Sequence, residues 1–216
     1  MRVQIDDKVA GAYPELELVP VVVEGLEVRR EREDLEAHKR RLEEEVRAGG
    51  TAGTIKDEPK VRAYRAFFWS LGIDPTKTRP AAEALVRRIA RDRPLPTINT
   101  AVDAYNIASV ESRVAFAAFD LETLHGELIM RYAKEGEAFA GIGMDRPKIL
   151  SGRELVIDDG VELVAIYPYR DADASKLTIE TKATLCLGCG VPGLDGDDLK
   201  QATQLAVTYL ERYARP

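Results

Sequence analysis

Cys186 and Cys189 enclose Leu187 and Gly188 in a Cys-x-x-Cys pair, the spacing in this chain that most suggests metal or dithiol chemistry. A structural zinc site needs four ligands, and the only histidines, His38 and His125, stand far from the pair and share no paired spacing. A redox dithiol belongs at the start of a helix after a strand, where the helix N-terminus lowers a thiol pKa. Here the pair ends an apolar run, Ala183 to Leu187, and Gly190-Val191-Pro192-Gly193 follows. Plain buried cysteines are therefore expected, with no metal and no cofactor.

Other reaction centres fare no better on residue inventory. The chain has no phosphate-binding Gly-x-x-x-x-Gly-Lys-Ser/Thr, no Gly-x-Gly-x-x-Gly after a strand and no Gly-x-Ser-x-Gly elbow. A serine or cysteine nucleophile would have to draw its base from His38, in a charge-laden stretch, or from His125, beside a glycine, and neither is expected to be buried or oriented. With 37 acidic residues some carboxylates must lie close together, but no spacing singles out a general acid–base pair.

The elements that must position any site follow from periodicity. A chain of 216 residues with 45% hydrophobic and 31% charged residues has the composition of a globular protein, expected as one domain, 1–216, in the cytoplasm and without a membrane segment. The net charge of −6 argues against a generic, charge-driven nucleic-acid binder; an RNA partner would be held locally. Leu16 to Val23 predicts a strand, and Arg29 to Arg47 a solvated helix on the surface, since Leu35, Leu42 and Val46 are too few for a buried face. Together these form an N-terminal portion over 1–50. Ala48 to Thr54 predicts a flexible connector able to gate a pocket.

Val61, Tyr64, Phe67, Phe68 and Leu71 share a helical stripe beside the sole tryptophan, Trp69, and are expected as core, with Gly72 ending the helix. A second helix, Pro80 to Arg91, turns Leu85, Val86 and Ile89 inward and crowds Arg79, Arg87, Arg88 and Arg91 on its other side. Such a face is usually just solvated; it is also where a nucleic-acid backbone contact would be placed. A helix from Thr97 to Ala108 leads to an apolar strand at Val114 to Phe119. Strands follow at 127–133, 154–157, 161–167 and 176–187, with turn signals at Glu135-Gly136-Glu137 and Asp158-Asp159-Gly160, and a helix closes the chain at 198–215. Helices, then strands, then one helix predict an α+β fold.

Five segments, in order, carry a resemblance. They are Leu71-Gly72-Ile73-Asp74-Pro75; Val102-Asp103-Ala104-Tyr105-Asn106; Ala118-Phe119-Asp120-Leu121; Arg131-Tyr132-Ala133-Lys134-Glu135-Gly136-Glu137; and Glu154-Leu155-Val156-Ile157. Over 59–185 the chain resembles the B3/B4 tRNA-editing domain of the bacterial phenylalanyl-tRNA synthetase β subunit. The longer helix at Pro80 to Arg91 is similar to that of free-standing relatives. The resemblance implies a three-layer α/β arrangement of the α+β class, with a strand sandwich flanked by helices. It also implies a pocket that takes the aminoacylated 3′ end of a mischarged tRNA and hydrolyses its ester with a positioned water.

Carried over by position, the resemblance implies Asn106 as the catalytic, water- and ester-orienting group. Tyr105, Ala117, Ala165 and Cys186 are the implied substrate contacts, with an amino acid in the pocket. Asp103 and Asp120 fit structural capping roles. Ala117 stands where the family has a histidine, and no glutamate stands at the strand position that reads the tyrosine hydroxyl, so tyrosine selection is not expected. The resemblance thus points first to a hydrolase acting in trans on mischarged tRNA in translation quality control. The second possibility is a non-catalytic module binding tRNA or an amino acid.

Overall fold

The computed structural model describes residues 2–50 and 53–216. Sixteen principal elements run in the order β1 (Val3–Ile5), α1 (Asp7–Ala12), β2 (Leu18–Glu24), α2 (Glu33–Ala48), α3 (Pro59–Ser70), α4 (Ala81–Ile89), α5 (Thr100–Ser112), β3 (Ala115–Asp120), β4 (Leu128–Tyr132), β5 (Glu135–Phe139), β6 (Lys148–Ser151), β7 (Leu155–Asp158), β8 (Leu163–Ile166), β9 (Arg170–Asp171), β10 (Ala183–Cys189) and α6 (Gly196–Ala214). The fold is α+β. Among the described residues no helix is long and apolar enough to cross a membrane.

The sheets explain the layering. Strands β2, β10 and β3 form an antiparallel sheet with β10 in the middle, while β1-β4-β7-β8-β9 form a second sheet and β5-β6 a small third one. Because strand side chains alternate, the faces of β10 and β3 split between two cores. Cys186 and Ala118 belong to a core shared with α2, α4, α5 and α6. Leu185, Leu187, Cys189, Ala117 and Phe119 belong to one shared with α3 and the five-stranded sheet. The result is helices, then a three-stranded sheet, then a five-stranded sheet.

Local chemistry sets several boundaries. Asn99 caps α5 by accepting from the Val102 amide (2.9 Å) and donates through Nδ2 to the Leu177 carbonyl (3.1 Å). The expected strand at 176–187 consequently starts only at Ala183, since Thr178 and Thr181 also fold on each other, the Thr178 amide donating to Thr181 Oγ1 (2.9 Å). Helix α6 can lie against β10 because Gly188 has no side chain: a Cβ there would stand 2.0 Å from Thr203 Oγ1. The Glu135-Gly136-Glu137 signal, expected as a turn, lies inside β5, where the pairing with β6 shifts register and Gly136 adopts φ +87°. The Asp158-Asp159-Gly160 segment does turn the chain between β7 and β8, with Gly160 at φ +90°.

The stretch expected as a solvated surface helix is packed instead. In α2, Leu35, Leu42 and Val46 join the helical core, and Lys39 and Glu43 complete its buried stripe. Both charges are satisfied there. Lys39 Nζ donates to Asp103 Oδ2 (3.0 Å), Thr97 Oγ1 (2.9 Å) and Glu36 Oε1 (2.7 Å), and Glu43 accepts from the Leu95 amide (2.6 Å). Counting only apolar residues hides such a stripe, because two of its positions are charged groups with partners supplied from elsewhere. Of the connector expected at 48–54, Thr51 and Ala52 lie outside the described residues; Gly49 is the C-cap of α2.

Candidate functional site

Strand β3 lies at the edge of its sheet, and its unpaired edge is where a cavity forms. The short strand β9 crosses this edge: Asp171 pairs with Ala165 of β8, and the Ala118 amide favours the charged form of its carboxyl. One residue pair further, the Asp120 amide donates to the Ser175 carbonyl (2.9 Å). Outward amides on a strand recur every second residue, so the Phe116 amide points off the same edge.

Here a cavity of about 90 Å³ is lined by Ala81, Phe116, Ala117, Ala165, Asp171 and Cys189, with the Tyr167–Arg170 segment completing the wall. Three alanines give it its room. An apolar cavity of about 150 Å³ takes a benzene ring, so a space this size suits a group smaller than a phenyl ring.

Asp171 is the carboxyl that lines this space, beside the Cys189 thiol, the Tyr167 and Tyr169 hydroxyls and Arg170. It keeps partial exposure at the cavity mouth, but burial pushes its carboxyl up to about 7; the Ala118 amide and Arg170 pull the other way without cancelling the effect. A carboxylate poised near neutrality can take a proton from water and return it, the property a general acid–base group needs. Sequence reasoning missed it. Only spacing along the chain could have marked it, and the one close acidic neighbour, Asp173, makes an i, i+2 pair in a loop-like stretch that singles out no acid–base chemistry.

The sequence-predicted residues divide. Ala117 and Ala165 both line the cavity. Cys186 does not: it is on the opposite face of β10, in the helical core, while Cys189 takes the lining position. The two thiols lie on different faces of one strand and are unpaired. Burial raises both, Cys186 up to about 12, so neither is an activated nucleophile. Asn106 and Tyr105 sit half-buried on α5, and neither is a lining residue. Tyr105 still senses the site: burial raises its hydroxyl, and the negative charges of Asp171 and Cys186 add to the effect.

Both histidines are held, contrary to expectation. His38 contacts the Tyr213 hydroxyl through Nδ1 (2.9 Å) and Glu111 Oε1 through Nε2 (3.1 Å), tying α2 to α6 and α5. His125 Nδ1 meets Asp159 Oδ2 at 3.0 Å. Neither reaches the cavity. Asp103 and Asp120 have structural partners: Asp103 holds Lys39 and the Ile98 amide (3.0 Å), and Asp120 accepts from the Glu122 amide (3.1 Å) and from Thr181 Oγ1 (2.6 Å).

The four arginines do not act as one free patch. Arg87 is held by buried Glu83 (2.8 Å), which also takes Arg65 (3.0 Å), and Arg88 Nε donates to the Pro94 carbonyl (2.5 Å). Arg91 is exposed beyond the C-terminal end of α4. Arg79 stands at the other end, two residues before Ala81 on the cavity rim.

The structure resembles, by fold, an N-terminal fragment of the phenylalanyl-tRNA synthetase β subunit from Pyrococcus horikoshii, with a TM-score of 0.52 and 16% identity over 98% of this chain and 48% of that one. In sequence the chain is 31% identical over 129 residues to the phenylalanine–tRNA ligase β subunit of Fusobacterium nucleatum, a match covering 59% of this chain and 15% of that subunit. It is 35% identical over 88 residues to the corresponding subunit of Xanthomonas campestris, covering 41% of this chain and 10% of the other. The chain thus spans only a small part of these curated relatives. Residues 63–215 match the family described as the B3/4 domain, a span that takes in α4, the cavity and α6, and the chain belongs to that family.

Proposed function

We propose that this protein hydrolyses the ester of a mischarged aminoacyl-tRNA, acting in trans, and that the aminoacyl group enters the cavity between β3, β8 and β9. The observation that carries this reading is Asp171, a carboxyl raised to about 7 on the wall of a small alanine-lined cavity. Its carboxylate takes a proton from water as the water oxygen attacks the ester carbonyl carbon. The outward amide of Phe116 lies on the same edge to meet the developing oxyanion. Collapse of the intermediate breaks the bond between the carbonyl carbon and the ribose oxygen. Asp171 returns the proton to that oxygen, and amino acid and free tRNA leave.

Ala117 fits this scheme, since a water-based mechanism requires no imidazole at that position. The cavity volume of about 90 Å³ selects a small amino acid and disfavours phenylalanine and tyrosine. Membership of a family whose relatives are tRNA ligase subunits supports an esterified tRNA over other esters.

One feature favours a second reading. The Ala117 methyl adds no hydrogen-bonding group to the wall, so Asp171 would serve equally well to hold the ammonium of a bound amino acid without turnover. A panel of tRNAs charged with glycine, alanine, serine, valine, phenylalanine or tyrosine separates the two. Deacylation above the spontaneous rate, confined to small amino acids and lost in Asp171→Asn, supports the hydrolase. If every ester stays intact while free small amino acids shift the melting temperature, the binding module stands in its place.

A further inference from the structure

The cavity beside Asp171 has a neighbour across Tyr169. Ile166, Tyr167 and Tyr169 also wall a larger cavity of about 250 Å³, lined on its far side by Leu71, Gly72, Lys148 and Arg153. Leu71, Gly72 and Arg153 in turn border an open groove of about 500 Å³ formed with Tyr13, Trp69 and Tyr132. Three neighbouring spaces, separated by shared wall residues, therefore lie between the buried carboxyl and an aromatic surface.

The surface has an unusual composition. Trp69, the sole tryptophan, is 56% exposed at the end of α3, although the helix buries its other aromatic residues, Tyr64, Phe67 and Phe68. Tyr13 is held edge-on against Phe67 at 5.1 Å, and Tyr13, Trp69 and Tyr132 line the groove together. Arg153 is exposed at the junction of the groove and the larger cavity, and Arg62 is exposed two helical turns before Trp69 on α3. Neither arginine has an ion-pair partner among the described residues. The nearby carboxylate Glu154 is neutralised by Lys148 (3.0 Å).

Exposed aromatic faces with unpaired cations bordering them are the elements of a single-stranded nucleic-acid platform, where bases stack and arginines meet phosphates. We propose that the Tyr13–Trp69–Tyr132 groove, with Arg153 and Arg62, receives the unpaired 3′ tail of tRNA, leading its esterified end past Tyr169 to Asp171. This rests on the hydrolase reading for its direction, and it moves the main RNA contact from the α4 arginines, half of which are internally engaged, to the end of α3.

Trp69 supplies a site-specific probe because no other tryptophan contributes. The experiment titrates the full chain with uncharged tRNA and with the same tRNA trimmed of its unpaired 3′ tail, reading both tryptophan fluorescence and a gel shift. Intact tRNA should quench Trp69 and the trimmed form should not; Arg153→Glu should weaken binding about ten-fold, as should Trp69→Ala read by gel shift. Equal quenching by trimmed tRNA, a gel shift without quenching, or no binding overturns the proposal. Trp69 and Arg153 are exposed, so both variants should retain the wild-type melting temperature. The two readings fail separately. Quenching without deacylation leaves the groove standing and removes the hydrolase, whereas deacylation with KM unchanged in both variants removes the groove and leaves the hydrolase.

Discussion

The Asp171 carboxyl stands against the Ala118 amide, which favours its charged form, so that a strand of one sheet covers the exposed edge of the other. The packing brings a charge-bearing group to a place where burial resists its ionisation. Below about pH 7 Asp171 carries a proton and cannot act as a base. Deacylation should therefore rise with pH through about 7 and level off above it, with Asp171→Asn lowering kcat about 100-fold across the range. Single-turnover rates from pH 5.5 to 8.5 check this; a flat wild-type profile contradicts it.

The same group has a stability signature of opposite sense. A carboxyl whose folded pKa lies above its unfolded value holds the proton more tightly in the folded state, so wild-type stability is lost as pH rises from the ordinary carboxylate value of 3.8 towards about 7. Asparagine does not titrate. The melting temperature of Asp171→Asn relative to wild type should accordingly climb between pH 5 and pH 8, even as activity disappears.

Filling the cavity should alter selectivity before stability. Ala165→Val adds two methyl groups to a wall of the space of about 90 Å³. Overpacking of this kind costs about 1–3 kcal/mol, while turnover of alanyl or seryl esters should fall much more than that of glycyl esters. The ratio of kcat/KM values for the three charged tRNAs reads the effect. An unchanged ratio would place the acyl group elsewhere.

Lys39 and Asp103 test whether α2 is core. The pair is buried, and burial raises the Asp103 carboxyl while Lys39 opposes the shift. Asp103→Ala removes the main buried partner of Lys39 and should cost about 3 kcal/mol in urea unfolding, well beyond a surface ion pair. The double change Lys39→Met with Asp103→Ala should recover part of the loss.

Gly188→Ala should be destabilising although glycine-to-alanine changes in strands are often favourable. The added Cβ would meet Thr203 Oγ1 at 2.0 Å and Leu199 at 3.3 Å, forcing α6 away from β10. A loss of about 1–3 kcal/mol is expected, and Gly188→Ala with Thr203→Ala should be milder.

Much of the element order was legible in the residues. The stripes of α3 and α4 and the apolar β3 follow from local pattern, the helix expected at Thr97 to Ala108 is α5 shifted to Thr100–Ser112, and the quoted segments from Leu71 to Ile157 pointed to the family. Strand β10 was found with its start misplaced, because side-chain contacts from Asn99 hold the preceding segment in a loop. Short elements such as β1, α1, β6 and β9 carry too few residues to show a period. Helix α2 was misjudged as a surface helix because Lys39 and Glu43 look solvated until their partners are known.

The site was legible to a lesser degree. The sequence by itself determined the family, and through that resemblance it marked Ala117 and Ala165, which line the cavity. Tertiary structure alone decided that Cys189 faces that cavity while Cys186 faces the helices, a matter of side-chain alternation combined with which sheet covers which face. It also decided that Asp171, on a two-residue strand with no distinctive spacing, stands against the Ala118 amide. A carboxyl becomes chemically unusual through what encloses it, and the enclosing residues, from Ala81 to Cys189, are distant in the chain and meet only when the two sheets pack.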